Sequence, residues 1–140
     1  MNGSFKFEQT LKKLGTVSAD QKCSVFNFLS VINLIGNSKS SLEAEHYLFK
    51  CEKVLKINKV HCLYRINESG ITGILSDLKS LGRKNTEILL MVAANFLSIG
   101  IGNRKQKVYF ARDIFGKLGI SKDDFLKAYI EAKVKVISTD

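Results

Sequence analysis

Proline is absent from all 140 residues. A proline inside a helix removes an amide donor and clashes with the preceding turn, so this chain is free to build long uninterrupted helices. Cysteine is scarce and odd in number, with Cys23, Cys51 and Cys62 lacking any CxxC spacing. That pattern fits a reduced, cytoplasmic setting better than a disulfide framework. A run long enough to span a bilayer is also missing. The longest apolar stretch, Ile88 to Ile101, is interrupted by Asn95, Ser98 and Gly100 and falls short of the roughly 20 residues a span requires. Met1-Asn2-Gly3-Ser4-Phe5-Lys6 leads into a polar helix without an apolar core, so no secretory leader is expected.

Catalytic signatures are missing as well. There is no GxSxG, HExxH, GxxxxGK[ST] or GxGxxG, and Gly100-Ile101-Gly102 is a lone GxG with no strand before it. The nearest zinc ligands are His46, Cys51, His61 and Cys62, but neighbours such as His61 and Cys62 do not readily converge on one ion. A cysteine nucleophile needs a base facing it, and adjacency in sequence does not supply one. The carboxylates Asp123-Asp124 and Glu43-x-Glu45 read as charge at helix N-termini, not as an acid/base pair. No enzymatic activity, no metal and no cofactor is expected.

What is present is a core and a positive charge. Apolar residues make up 45% of the chain and charged ones 25%, as in a globular domain. The net charge is +9, with +4 in residues 1–70 and +5 in 71–140, so it is spread and not held in a tail. A spread positive field suits acidic partners, nucleic acid or anionic lipid, and serves plain solubility equally.

The apolar spacing predicts helices throughout. Phe7, Leu11 and Leu14 define the first, with Gly15 able to end it in a left-handed cap. Ser18 and Gln21 form a capping box before an almost wholly apolar helix from Val25 to Ile35, a pattern that belongs in the middle of a fold. Ser40 and Glu43 form a second box, and Ala44, Leu48, Cys51 and Leu55 trace one stripe. Residues 59–66 read either as a short helix or as an extended connector. Asn67 is placed as the cap of a helix bearing Ile71, Ile74, Leu75, Leu78 and Leu81, stopped by Gly82. Asn85 is placed as the cap of a second apolar helix to Gly100, and Asn103, with Gln106, as the cap of a helix striped by Val108, Ala111, Phe115 and Leu118 and ended by Gly119. Ser121 opens the last, whose Phe125, Leu126, Tyr129, Ile130 and Val134 should face inward. No sustained two-residue alternation predicts a strand.

Two phrases recur. Ile35-Gly36-Asn37 returns as Ile101-Gly102-Asn103, and Asn27-Phe28-Leu29-Ser30 returns as Asn95-Phe96-Leu97-Ser98. Val54-Leu55-Lys56-Ile57-Asn58 is echoed by Lys117-Leu118-Gly119-Ile120-Ser121. A buried helix, a loop and a covering helix are thus written twice, at about residues 18–58 and 85–121. The expected fold is all-α: one domain over residues 1–140, about seven helices, two of them central and buried.

Over residues 18–130 this pattern resembles the TerB-like family, named for a tellurite-resistance protein. Leu118-Gly119-Ile120, followed by Ser121, Asp123 and Phe125, looks like the family's helix ending, and Ser40-Ser41-Leu42-Glu43-Ala44-Glu45 like its helix start. The resemblance implies a helical interaction module of stress-response assemblies. The family's acidic loop residues, associated with divalent metals, are missing here, and Lys107 stands where an early Glu would be. A basic loop repels hard cations, so the metal function is not carried over.

The expected function is a non-enzymatic interaction module with a protein partner, self-association being left open. The alternative is a nucleic-acid-binding accessory protein. Its contacts would be Arg83 and Lys84 in one interhelical turn and Arg104, Lys105 and Lys107 at a helix start, where free amides favour phosphate. Tyr109 or Phe110 would add a stacking surface if exposed. The competing reading is a solvated helix start with the aromatics turned inward. Gly36, Asn37, Gly102 and Asn103 are the candidate functional loops.

Overall fold

In the computed structural model residues 2–35, 42–99 and 104–138 are described, with side-chain surroundings from 5 to 133. Among them stand seven helices and no strand: α1 (Asn2–Leu11), α2 (Ala19–Leu34), α3 (Leu42–Leu55), α4 (Lys59–Lys79), α5 (Arg83–Leu97), α6 (Arg104–Lys117) and α7 (Lys122–Ser138). No described helix is long and apolar enough to cross a membrane. The loops carrying Gly36, Asn37, Gly102 and Asn103 lie outside the described residues, as do Ser40 and the side chain of Val134.

α2 and α5 are the two central helices. Val25, Phe28, Leu29 and Ile32 of α2 are buried, as are Leu89, Val92, Ala93 and Phe96 of α5. Each packs against the two helices that follow it, α2 on α3 and α4, and α5 on α6 and α7. Two aromatic groups tie the layers together. Phe7, Tyr47 and Phe96 join α1, α3 and α5, with ring centroids 4.9 to 6.3 Å apart. Phe28 meets Phe110 at 6.2 Å and Phe115 at 5.6 Å, and Phe115 meets Phe125 at 6.0 Å, joining α2 to α6 and α7.

The helix ends have local causes. The Ser18–Gln21 capping box forms as expected, with Gln21 N–H donating to Ser18 Oγ at 3.1 Å and Ser18 N–H donating to Gln21 Oε1 at 2.7 Å. Ser121 accepts from the Asp124 amide at 3.1 Å. α5 begins earlier than expected, at Arg83, behind Gly82 with φ 85°. Asn85 lies inside its first turn and instead accepts the Gly15 amide at 2.9 Å, stapling the α1–α2 connection to α5. Gly15 serves through that amide, since it is not among the residues with positive φ. On α7, Phe125 is buried as expected, but Leu126 and Ile130 face outward.

The segment 59–66 resolves as helix. Asn58 caps it by accepting the amides of Val60 and His61 at 2.8 and 3.3 Å, and α4 continues through Asn67, which caps nothing. The break comes at Gly70, with φ 59° and ψ −155°, a conformation open essentially to glycine alone. The kink turns the two parts of α4 back on each other. Arg65 reaches Asp77 at 2.8 and 3.1 Å, and Asp77 accepts Ser24 Oγ at 2.5 Å. Gly73 completes the bend, because a Cβ there would sit 2.1 Å from that of Ser69.

Candidate functional site

The basic residues named above do not form one face. Arg83 and Lys84 lie by the N-terminal end of α2, where Gln21 donates to Ser80 Oγ at 2.9 Å. Arg104 and Lys105 lie by its C-terminal end, where α6 starts against Ile32 and Asn33. The sixteen residues of α2 separate the two groups by about 24 Å. Arg83 also donates to Glu87 at 3.1 Å. Lys107 is unsuited to phosphate. Its side chain is buried, only 8% exposed, and its ammonium donates to the Ile32 carbonyl at 3.0 Å and to the Asn33 carbonyl. It closes the end of α2, where helix carbonyls lack intrahelical partners. Of the two aromatics, Phe110 packs on Phe28, whereas Tyr109 is exposed under Lys105 at 5.8 Å and Arg112 at 5.1 Å.

The histidine and thiols diverge. His61 Nε2 lies 3.2 Å from Asp20 on the surface, and Cys62 Sγ turns inward to Cys23. Burial pushes the thiols of Cys23 and Cys62 upward and that of Cys51 up to about 12, away from thiolate character. Among the described residues no three His, Cys, Asp or Glu side chains converge as a metal set.

A basic concavity lies elsewhere among the described residues, between α1 and α3. It is an open groove of about 500 Å³ bordered by Glu8, Lys12, Phe49, Lys50, Lys53 and Lys56. α1 and α3 run in the same direction, since Phe7 meets Tyr47 and Glu8 meets Lys50 at 2.8 Å. Their C-terminal ends therefore converge here, each carrying roughly half a negative charge. Lysines at that place partly answer the helix dipoles. Four ammoniums against one carboxylate exceed that demand and leave a surplus of roughly two positive charges. Glu8 is held between Lys50 and Lys12, the latter at 3.3 Å, and those ammoniums lower its pKa below 4.5. Phe49 is 52% exposed, with the Lys53 ammonium 4.9 Å from its ring centre.

One backbone feature singles the groove out. α3 and α6 end with the same pair of hydrogen bonds. Ile57 N–H reaches Glu52 O at 3.2 Å and Lys56 N–H reaches Lys53 O at 3.3 Å. Ile120 N–H reaches Phe115 O at 2.9 Å and Gly119 N–H reaches Gly116 O at 3.1 Å. Both are Schellman endings, which place one residue in the left-handed region. In α6 that residue is Gly119, φ 92°. In α3 it is Lys56, φ 54° and the one non-glycine residue with positive φ among the described residues. A side chain there costs about 1–2 kcal/mol.

Sequence reasoning missed this site because its cations come from two segments about 40 residues apart, neither of which reads as a basic cluster. One signal was available. The repeated phrases set Lys56 against Gly119, and a lysine where a helix ending calls for glycine is a mismatch that asks for a reason.

Comparison with known proteins supplies no relative. No family model matches the chain, and no curated protein or solved structure is significantly similar to it.

The geometry carries a pH prediction. The pKa of Glu8 is depressed in the folded chain, so its bridging of α1 to α3 contributes stability above 4.5 and is lost as pH falls through the lower folded value. The melting temperature of the native chain should therefore fall relative to that of Glu8→Gln on acidification below about pH 4.5, measured by circular dichroism in matched buffers. Parallel curves for the two proteins would show that the bridge does not operate.

Proposed function

We propose that the chain is a non-enzymatic helical interaction module whose α1–α3 groove takes an acidic segment of a partner protein. The observation that carries this is Lys56, held at a left-handed position where its counterpart is glycine, with its side chain bordering the groove. Strain of this kind persists where the side chain has a use. Carboxylates fit the groove better than phosphate does. It offers lysines without arginine forks, and its helix ends present carbonyls in place of amides. Lys50, Lys53 and Lys56 follow one another at steps of three, a spacing that suits carboxylates on a facing helix, and Phe49 supplies an apolar anchor. Descent from the TerB-like family, without its metal site, is part of this proposal. It is supported by the shared endings of α3 and α6 and by the like packing of α2 and α5 on the helices that follow them.

The test uses a fluorescent helical peptide of about 15 residues, matching the length of α3, with glutamates flanking one phenylalanine. Anisotropy should report binding that weakens with salt. Lys53→Glu combined with Lys56→Glu should weaken it at least about tenfold, the loss of roughly 1.4 kcal/mol. Lys56→Gly should also weaken it while leaving the melting temperature unchanged or higher. Binding untouched by both variants would overturn the assignment of the groove.

A second reading, nucleic-acid binding, is favoured by one observation. Tyr109 is an exposed ring flanked by Lys105 and Arg112, the combination that holds single-stranded bases. A gel shift with single-stranded oligonucleotide at two salt concentrations, lost in Tyr109→Ala, would select it over the groove.

A further inference from the structure

The interface of α2 with the first part of α4 holds two cysteines that the groove does not use. Cys23 and Cys62 are each 1% exposed, and their sulfur atoms lie 2.7 Å apart, inside van der Waals contact. Their register is fixed on both sides. One turn before Cys23, Asp20 meets His61 at 3.2 Å, and one turn after it Asn27 donates to the Cys62 carbonyl at 3.0 Å. Beyond them, Asp77 binds both Ser24 and Arg65 and holds the two parts of α4 against α2. A free pair of thiols set sulfur to sulfur by flanking hydrogen bonds needs little backbone movement to become a bond, which is the usual obstacle to a new disulfide.

We infer that Cys23 and Cys62 form a reversible disulfide that staples α2 to the first part of α4, with a low-molecular-weight disulfide such as glutathione disulfide as oxidant. The Cys23 thiolate attacks one sulfur of the oxidant, whose S–S bond breaks and releases one thiolate. The Cys62 thiolate then attacks Cys23 Sγ in the mixed disulfide and expels the second. The two cysteine protons pass to the released thiolates, and the two electrons end in two molecules of small thiol. This site departs from the all-reduced state that cysteine number and spacing predict. Burial raises both thiol pKa values, so the folded, reduced chain reacts slowly at neutral pH and faster as pH rises. The bond forms most readily while α4 is still docking.

The experiment uses the full chain, refolded in glutathione disulfide or in dithiothreitol, then unfolded and alkylated for intact-mass analysis. The reduced sample takes three alkyl groups. The oxidised sample should take one, on Cys51, and peptide mapping should recover Cys23 linked to Cys62. Closing a loop of about 40 residues should raise the melting temperature of the oxidised chain by about 10 °C. Cys51→Ser should keep the Cys23–Cys62 link and the rise in melting temperature, its oxidised form taking no alkyl group. Three free thiols after oxidative refolding would overturn the inference, as would a link made through Cys51 or persistent mixed disulfides. The wild-type chain alone decides this, so poor folding of a cysteine variant does not obscure it.

Discussion

Phe28→Ala is expected to lower the unfolding free energy by about 4 kcal/mol, read from the midpoint of urea denaturation at constant slope. The ring is 1% exposed and lies where α2 meets α6. It packs edge-on against Phe115 and tilted against Phe110, and Phe115 carries the contact on to Phe125 of α7. Truncation removes the largest fully buried side chain of α2 and leaves a void walled by rings on other helices. These cannot close in without moving their own backbones, so the cavity persists and adds to the transfer cost. A domain of this size has about 5–15 kcal/mol in total, so the variant should approach unfolding near physiological temperature. Phe28→Leu keeps most of the volume and should cost less than half as much. A loss below about 1 kcal/mol for the alanine variant would show that α2 and α6 are not joined through this ring.

Lys107→Met is the second large effect, about 2 kcal/mol in the same measurement. Methionine can fill the space of the lysine stem, so packing is nearly conserved and the loss reports the ammonium. That group donates to the carbonyls of Ile32 and Asn33 at the end of α2. Without it, those acceptors lose their donor in a buried place, where an unmade bond costs the most. Lys107→Arg offers a donor again and should recover part of the loss. Burial depresses the lysine pKa below 10.5, which fixes the sign of its pH dependence. The unfolded chain holds this proton more tightly, so the difference between wild type and Lys107→Met should widen as pH climbs through the folded value toward 10.5. A neutral Lys107→Met would mean that the α2 terminus needs no donor from α6.

Both predictions concern the seam between the first and second halves, where the sequence was least readable. Lys107 followed Arg104 and Lys105 at a helix start and read as one more surface cation. Its position on α6 gives no hint that α2 ends against it, because that contact joins residues about 75 apart. Phe110 and Tyr109 were interchangeable for the same reason. The face of α6 that is covered depends on where α2 lies, and the rings fell on opposite sides of that boundary. The expected inward turn of Leu126 and Ile130 failed similarly, since an apolar stripe names a face without guaranteeing a neighbour to cover all of it.

The missing proline, the apolar periodicity, the Ser18–Gln21 box and the glycines at 82 and 119 are local or near-local facts, and they determined that this chain is helical and where several helices end. They also marked α2 and α5 as the buried pair, because a helix apolar on most sides cannot remain in water. Tertiary structure alone decided which cations share a groove, which lysine is buried, which thiols touch and how α4 folds back at Gly70. Each of those is a meeting of segments far apart in the chain. Such meetings are set by the packing of whole helix faces, which short-range spacing does not encode.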